Sequence, residues 1–332
     1  MTTVSEPATI EVLASGTAPY HKIDPDGFRE WVRDNKQRAL VPKLMTEKEA
    51  VQKFVADGDY ITYECNYLTR GPNSLLHEIM RQQKKNLWIA GKFTYVDVGM
   101  LVGAGCAGKV DTGFFLCTPS VRQALDAGKL EVYEYSNVIM TMRLEAGAQG
   151  IPFIPVRSFG GTDGFNHSGA KLITDPYTGQ PTVIIPALNP DVAIIHVQQA
   201  DKFGNARIFG TGISDVPAAL ASRKVIVSAE EIIDTEEIRS NPGLTKIPYW
   251  CVDAVVEAPF AGYPGTVPGY YASDPAVVME VFASVLRGAV EPYLEKWVFG
   301  VNSHQEMLEK NVGVAKLLDM RKRETIRGGL RA

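Results

Sequence analysis

The sequence predicts an α/β chain, a mainly parallel sheet covered by helices on both faces. Short, near-continuous apolar runs such as "NLWIAG", "VAIIHVQQA" and "KVIVSA" alternate with segments of helical periodicity, the pattern of strands buried on both sides. The totals agree: 332 residues, 45% hydrophobic and 22% charged, suit a globular chain large enough for one α/β domain. No repeat, low-complexity tract or long linker divides the chain.

Residues 1–44 read as an N-terminal extension, a tail with a short helix around "GFREWVRDNKQRAL". A single domain is expected over 45–332. It opens on a helix in "TEKEAVQKFVADGDYI", where Thr46 and Glu49 fit a capping box and Ala50, Val51, Phe54 and Val55 recur at helical spacing. A strand at 60–65 follows. Pro72 then opens a helix with Leu75, Leu76, Ile79 and Met80 on one face, proline suiting a first turn whose N–H would go unpaired. Next come a strand in "NLWIAG", a helix in "VDVGMLVGAG", a strand in "KVDTGFFLC" and a helix in "SVRQALDAGK". "LEVYEYS" is a strand, "NVIMTMRLEAGAQG" a helix and "IPFIPV" a strand. After a glycine-rich loop, "TVIIPA", "VAIIHVQQA", "ARIFG" and "KVIVSA" read as strands, with a helix in "PAALASR" before the last. In "ADKFGNARI", Gly204 and Asn205 supply a tight turn between paired strands. Helices over about 275–323 close the chain.

Composition excludes several classes of function. The formal charge of −4 leaves no basic excess to neutralise phosphates, so nucleic acid is not the expected partner. No apolar run reaches the ~18 residues a membrane helix needs, and "MTTVSEPATIEVLASGTAP" lacks the basic and apolar regions of a secretory signal. Cys65, Cys106, Cys117 and Cys251 are scattered without CxxC spacing, which reads as free thiols in a cytoplasmic protein. The five histidines form no zinc motif, and nothing calls for a metal or redox cofactor.

The stretch "GDYITYECNYLTRGP" (58–72) is the first candidate site, placing Glu64, Cys65 and Asn66 where a strand ends and Arg70 before a helix. A second is "SFGGTDGFNHSG" (158–169), a polar loop leaving the strand "FIPV". Open α/β sheets bind ligands at strand ends, and Gly160 and Gly161 permit close backbone approach, beside Thr162. "GAGCAG" (103–108) spells GxGxxG, but a helix precedes it and a strand follows, the reverse of a dinucleotide loop, so it reads as a turn. His196 reads as a satisfied core histidine, Asp201 as a turn residue, and Glu236 and Glu237 as a solvated helix start. Ser228, Glu230 and Glu231 draw interest as an acid cluster at a strand end. There is no GxSxG elbow, HExxH pair, P-loop or CxxC.

Several stretches together resemble the family I CoA-transferases, in particular the A (alpha) subunit of the glutaconate type. They are "EAGAQGIPFIPVRS", "DVAIIHVQQADKFGNARIFG", "VIVSAEEIIDTEEIR", "VDAVVEAPFAGYPGTVPGYYASD" and "LEKWVFGVNSHQEML", in matching order over about residues 46–315. The resemblance implies a doubly wound CoA-transferase fold and a reaction that moves CoA from an acyl-CoA to a carboxylate. It implies that the nucleophile for the thioester is a glutamate of a partner beta subunit, and that a glutamyl-CoA thioester carries CoA to the acceptor. CoA is then a substrate. This chain lacks the Glu-Asn-Gly motif of that partner, so the resemblance implies a heterodimer assembling into a heterotetramer or larger.

The family's alpha-subunit signature, GGFxxxGxP, falls on residues 64–72, where only Pro72 among the named positions is kept. That placement makes Cys65, Asn66, Arg70 and Asn73 expected substrate contacts, together with Gly160, Gly161 and Thr162. Arg70 is suited to pairing with a carboxylate bidentately. Three readings follow: a transferase with a remodelled loop; an acyl-CoA hydrolase, for instance a ring-opening one that cleaves a C–C bond; or a non-catalytic binding subunit. In the hydrolase reading Glu64 is the base, because the start of the helix after "EVYEY" holds Asn137 where resembling hydrolases place an acid. A fold alone does not choose among them.

Overall fold

The computed structural model describes residues 10–210 and 212–324. Chain order is β1 (Val12–Ser15), α1 (Pro25–Asn35), α2 (Glu47–Phe54), β2 (Tyr60–Tyr63), α3 (Asn73–Arg81), β3 (Leu87–Gly91), α4 (Asp97–Gly103) and β4 (Ala107–Thr112). Then follow α5 (Pro119–Asp126), β5 (Glu131–Glu134), α6 (Asn137–Gln149), β6 (Phe153–Val156), α7 (Asp163–Asn166), β7 (Lys171–Thr174), β8 (Pro181–Pro186) and β9 (Val192–Ala200). The remainder is β10 (Ala206–Arg207), α8 (Asp215–Ala221), β11 (Lys224–Ile232), α9 (Thr235–Ser240), β12 (Thr245–Ile247), β13 (Ala254–Glu257), α10 (Pro275–Arg287), short helical turns over 291–312 and a last helix at Val314–Arg323.

The main sheet has nine strands. Its strands β13, β11, β9, β2, β3, β4 and β5 lie side by side in that order, and all run parallel. β10 and β12 extend it antiparallel beside the far end of β9, after the turn at 201–205. Asp201 fixes that turn by accepting from the N–H groups of Phe203, Gly204 and Asn205.

Both faces of the central parallel strands β2, β3, β9 and β11 are buried, as their apolar runs predict. Ile61, Ile89, Val110, Ile194 and Ile226 face one core with α2 to α5 and α10. Ala193, Ile195, Val225 and Val227 face the other, under α6 and α8. The winding reverses at β2: successive strands β3, β4 and β5 step away on one side, and β9, β11 and β13 on the other. That reversal is the topological switch point, and the crevice outside the strand ends there is where open α/β sheets hold ligands.

Two strands differ from expectation. β6 and β8 do not join the main sheet; they pair antiparallel with each other in a four-stranded sheet of order β1-β7-β8-β6. The reason lies in Pro155, which has no N–H for a ladder and is tolerated on β6 because β6 is an edge strand. The segment read as an N-terminal extension contributes β1, paired with β7 at the opposite edge. Its end is tied to the domain, since Lys36 pairs with Asp253 at 3.1 Å and Lys43 Nζ donates to the carbonyls of Tyr249 and Val252 at 2.7 Å. Residues 1–9 lie outside the described residues. Among those described, no helix is long and apolar enough to cross a membrane.

Candidate functional site

The chain leaves β2 at the switch point. The Glu64 N–H donates to the Ile194 carbonyl at 3.1 Å, extending the β2–β9 ladder by one step. The backbone then turns back on itself: Asn66 and Thr69 exchange N–H···O bonds, and Asn66 Oδ1 accepts the Leu68 N–H at 2.9 Å. Two residues of this loop that are not glycine take left-handed backbone, Cys65 at φ 60° and Arg70 at φ 45°. These fall on two of the glycine positions of the signature, and both take a backbone that glycine adopts most easily. Gly71, by contrast, is required for space, because a Cβ there would lie 2.4 Å from the Asn66 carbonyl oxygen.

Side chains hold the strained backbone in place. Arg70 is fully buried; its guanidinium pairs with Asp215 at 2.7 Å, donates to the His196 carbonyl at 2.6 Å and meets Cys65 Sγ at 3.1 Å. Burial raises the Asp215 carboxyl, and Arg70 opposes that shift. Burial also pushes the Cys65 thiol up to about 12, against the pull of Arg70, so this cysteine stays protonated and is a poor nucleophile.

Glu64 is fully buried as well. One carboxylate oxygen accepts the Ser214 N–H at 3.0 Å; the other accepts the Ser214 hydroxyl at 2.8 Å and lies 2.5 Å from Lys92 Nζ. Lys92, the residue after β3, also donates to the Tyr63 carbonyl at 3.2 Å. Ser214 precedes α8, whose start favours an anion. Two buried ion pairs, Glu64–Lys92 and Arg70–Asp215, thus lie beneath the loop at the switch point. Above them, Asn66, Leu68 and Thr69 are half-exposed and Gly212 and Ile213 exposed.

Beneath Arg70, His196 is bonded through Nδ1 to Ser228 at 3.0 Å and through Nε2 to Glu230 at 2.8 Å. Glu230 also accepts the Phe260 N–H and the Tyr271 hydroxyl. His196 and Ser228 are register neighbours on β9 and β11, which brings them together. Glu231 lies outward and accepts from Gln199 and Tyr270.

The structure therefore brings Glu64, Cys65, Asn66 and Arg70 together. Asn73 is buried next to them, where its amide donates to the carbonyls of Tyr67, Gly262 and Tyr263 and fixes the loop against residues 262–263. Gly160, Gly161 and Thr162 sit elsewhere, on the loop after β6; Thr162 caps α7, and its hydrogen bonds stay within residues 159–165. Sequence reasoning missed Lys92, Ser214 and Asp215. Each has a local signal, Lys92 at the end of an apolar strand and "SDVP" as the polar start of a helix, but neither signal ties it to loop 64–72. Among the described residues no cluster of His, Cys, Asp and Glu suits a metal ion.

Comparison with known proteins gives the family. The coenzyme A transferase family profile matches residues 44–258. The chain is 34% identical over 303 residues to the A-type subunit of glutaconate CoA-transferase from Acidaminococcus fermentans, covering 84% of this chain and 94% of that one. It is 34% identical over 242 residues to the A-type subunit of 3-oxoadipate CoA-transferase from Pseudomonas knackmussii, covering 70% of this chain and 84% of that one. The crystal structure of glutaconate coenzyme A-transferase from Acidaminococcus fermentans superposes with a TM-score of 0.79 at 32% identity, covering 84% of this chain and 95% of its own. The chain belongs to the coenzyme A transferase family.

Proposed function

We propose that this chain is the A-type subunit of a two-subunit CoA-transferase that moves CoA between an acyl-CoA and a carboxylic acid. The observation that carries the reading is the position of loop 64–72. In a chain of this family it leaves β2 at the switch point of the sheet, and Asn66, Leu68 and Thr69 in it are half-exposed. The nucleophilic glutamate belongs to a B-type partner, because this chain carries no Glu-Asn-Gly motif. Its carboxylate attacks the thioester carbonyl and expels CoA thiolate, leaving an acyl–glutamyl anhydride. The thiolate then attacks the glutamyl carbonyl, freeing the donor as a carboxylate and leaving CoA as a glutamyl thioester. The acceptor acid takes CoA by the same steps in reverse. CoA is the substrate in both directions.

In this arrangement Glu64 is a fixed anion: Ser214 and Lys92 occupy its oxygens. Arg70, Cys65 and Asn73 shape the loop, and Asn66 at its tip contacts the substrate. Gly160, Gly161 and Thr162 form a second, separate contact surface. A hydrolase on the same scaffold, with Glu64 as its base, would have to break the Ser214 and Lys92 contacts to free that carboxylate.

Co-expressed with its partner, the enzyme is given an acyl-CoA alone or together with a free carboxylic acid. CoA exchange that requires the acid supports the transferase. Thioester loss without any acceptor, abolished by Glu64→Gln, would establish the hydrolase instead.

A further inference from the structure

A cavity of about 370 Å3 opens between the start of α2, the end of β13 and residues 303–308. Glu47, Glu257, Ser303, His304 and Leu308 are among its lining residues, and no lysine or arginine is. His304 is 5% exposed. Its Nε2 lies 3.2 Å from the Pro259 carbonyl oxygen, and since a carbonyl only accepts, Nε2 carries the proton. Burial, with Arg81 adding to it, holds the imidazole below its usual range, while Glu47 opposes the shift. The ring is therefore neutral near pH 7, and Nδ1 is a bare acceptor.

That Nδ1 has no hydrogen-bond partner among the described residues, and neither has the buried Oε1 of Glu47. Glu257 adds an exposed carboxylate at the rim. Arg81 does not line the cavity, although its charge acts on His304; its Nε pairs with Glu78 at 2.7 Å, and its Nη1 and Nη2 are buried without a hydrogen-bond partner among the described residues. Buried acceptors left without donors are costly, and no lysine or arginine lines this cavity to serve them. A water supplies two O–H donors and no charge. A primary ammonium supplies three donors and the charge that the two carboxylates call for, and Leu308 offers an apolar wall to a short alkyl chain.

We propose that this cavity binds a small organic ammonium ion, which donates N–H to His304 Nδ1 and to Glu47. The probe is methylammonium; tetramethylammonium, with the same charge and no N–H, is the control. The full chain, labelled with 15N-histidine, is titrated with each at neutral pH. The expected result is a saturable shift of the His304 Nδ1 resonance with methylammonium alone, and an unfolding midpoint that rises with its concentration. Glu47→Gln keeps the size and removes the charge, and should weaken binding by about tenfold or more. The wild-type comparison of the two cations decides the matter even if that variant folds poorly. An equal response to both cations, or an unmoved Nδ1, would overturn the proposal and leave a cavity that holds water only.

Discussion

Loops 64–72 and 158–169 both leave the carboxyl end of a strand, and they are held by opposite means. The first keeps left-handed backbone at Cys65 and Arg70, where glycine is the easy residue, and buried charges pin it. The second takes left-handed backbone at Phe159 (φ 89°) and at Gly161 (φ 77°, in open space), and is fixed by the Thr162 cap of a four-residue helix. Glycine permits a conformation; ion pairs and buried hydrogen bonds enforce one. An enforced loop presents its tip in a single geometry, which is what a site assembled between two chains needs. It is also vulnerable, because each pin leaves a buried charge when it is lost.

Breaking the comparison starts with the strongest pin. Arg70→Met strands Asp215 and the His196 carbonyl, and should cost about 3–5 kcal/mol in urea unfolding. A loss no larger than that of a change in the glycine loop would show that loop 64–72 is not held by charge.

The next effect is a pH dependence confined to the first region. Asp97, under the end of β2, accepts from the Tyr63 hydroxyl at 2.5 Å, and burial pushes its carboxyl up to about 6 from the usual 3.8. Between those values the folded chain binds the proton and the unfolded chain does not. Stability from this group is therefore present below about pH 4 and is lost as pH rises through 6, by at most about 3 kcal/mol. Asp97→Asn should remove that slope from unfolding curves recorded at pH 4 to 7; an unchanged slope would assign it to other groups.

The smallest effect belongs to the glycine loop. Gly161→Ala meets no neighbouring atom, so only its left-handed backbone is strained, at about 1–2 kcal/mol. The same urea measurement reads it. A cost equal to that of Arg70→Met would erase the distinction between the loops.

How much of this was legible in the sequence follows from the range of the interactions. Apolar runs located β2, β3, β9 and β11, because a strand buried on both faces must be apolar throughout. β6 and β8 look the same by run length; Pro155 marked an edge strand, but pairing partners are not written in a single segment. β1 and β7 are four residues long, too short for periodicity to speak. At the site, Glu64, Cys65, Asn66 and Arg70 were legible because they share one stretch. Lys92, Ser214 and Asp215 were not, because they reach Glu64 and Arg70 only after parallel strands bring distant segments to one edge. His196 was legible as a core residue, whereas its bonds to Ser228 and Glu230 depend on the register of β9 with β11.

The central claim is that this chain shapes a transferase site whose nucleophile stands on another chain. The most direct measurement incubates the co-purified complex with acyl-CoA, traps the bound thioester with hydroxylamine and locates the hydroxamate by peptide mass spectrometry. The predicted result is a mark on a glutamate of the B-type partner. Finding the hydroxamate on Glu64, or on any other residue of this chain, would contradict the claim.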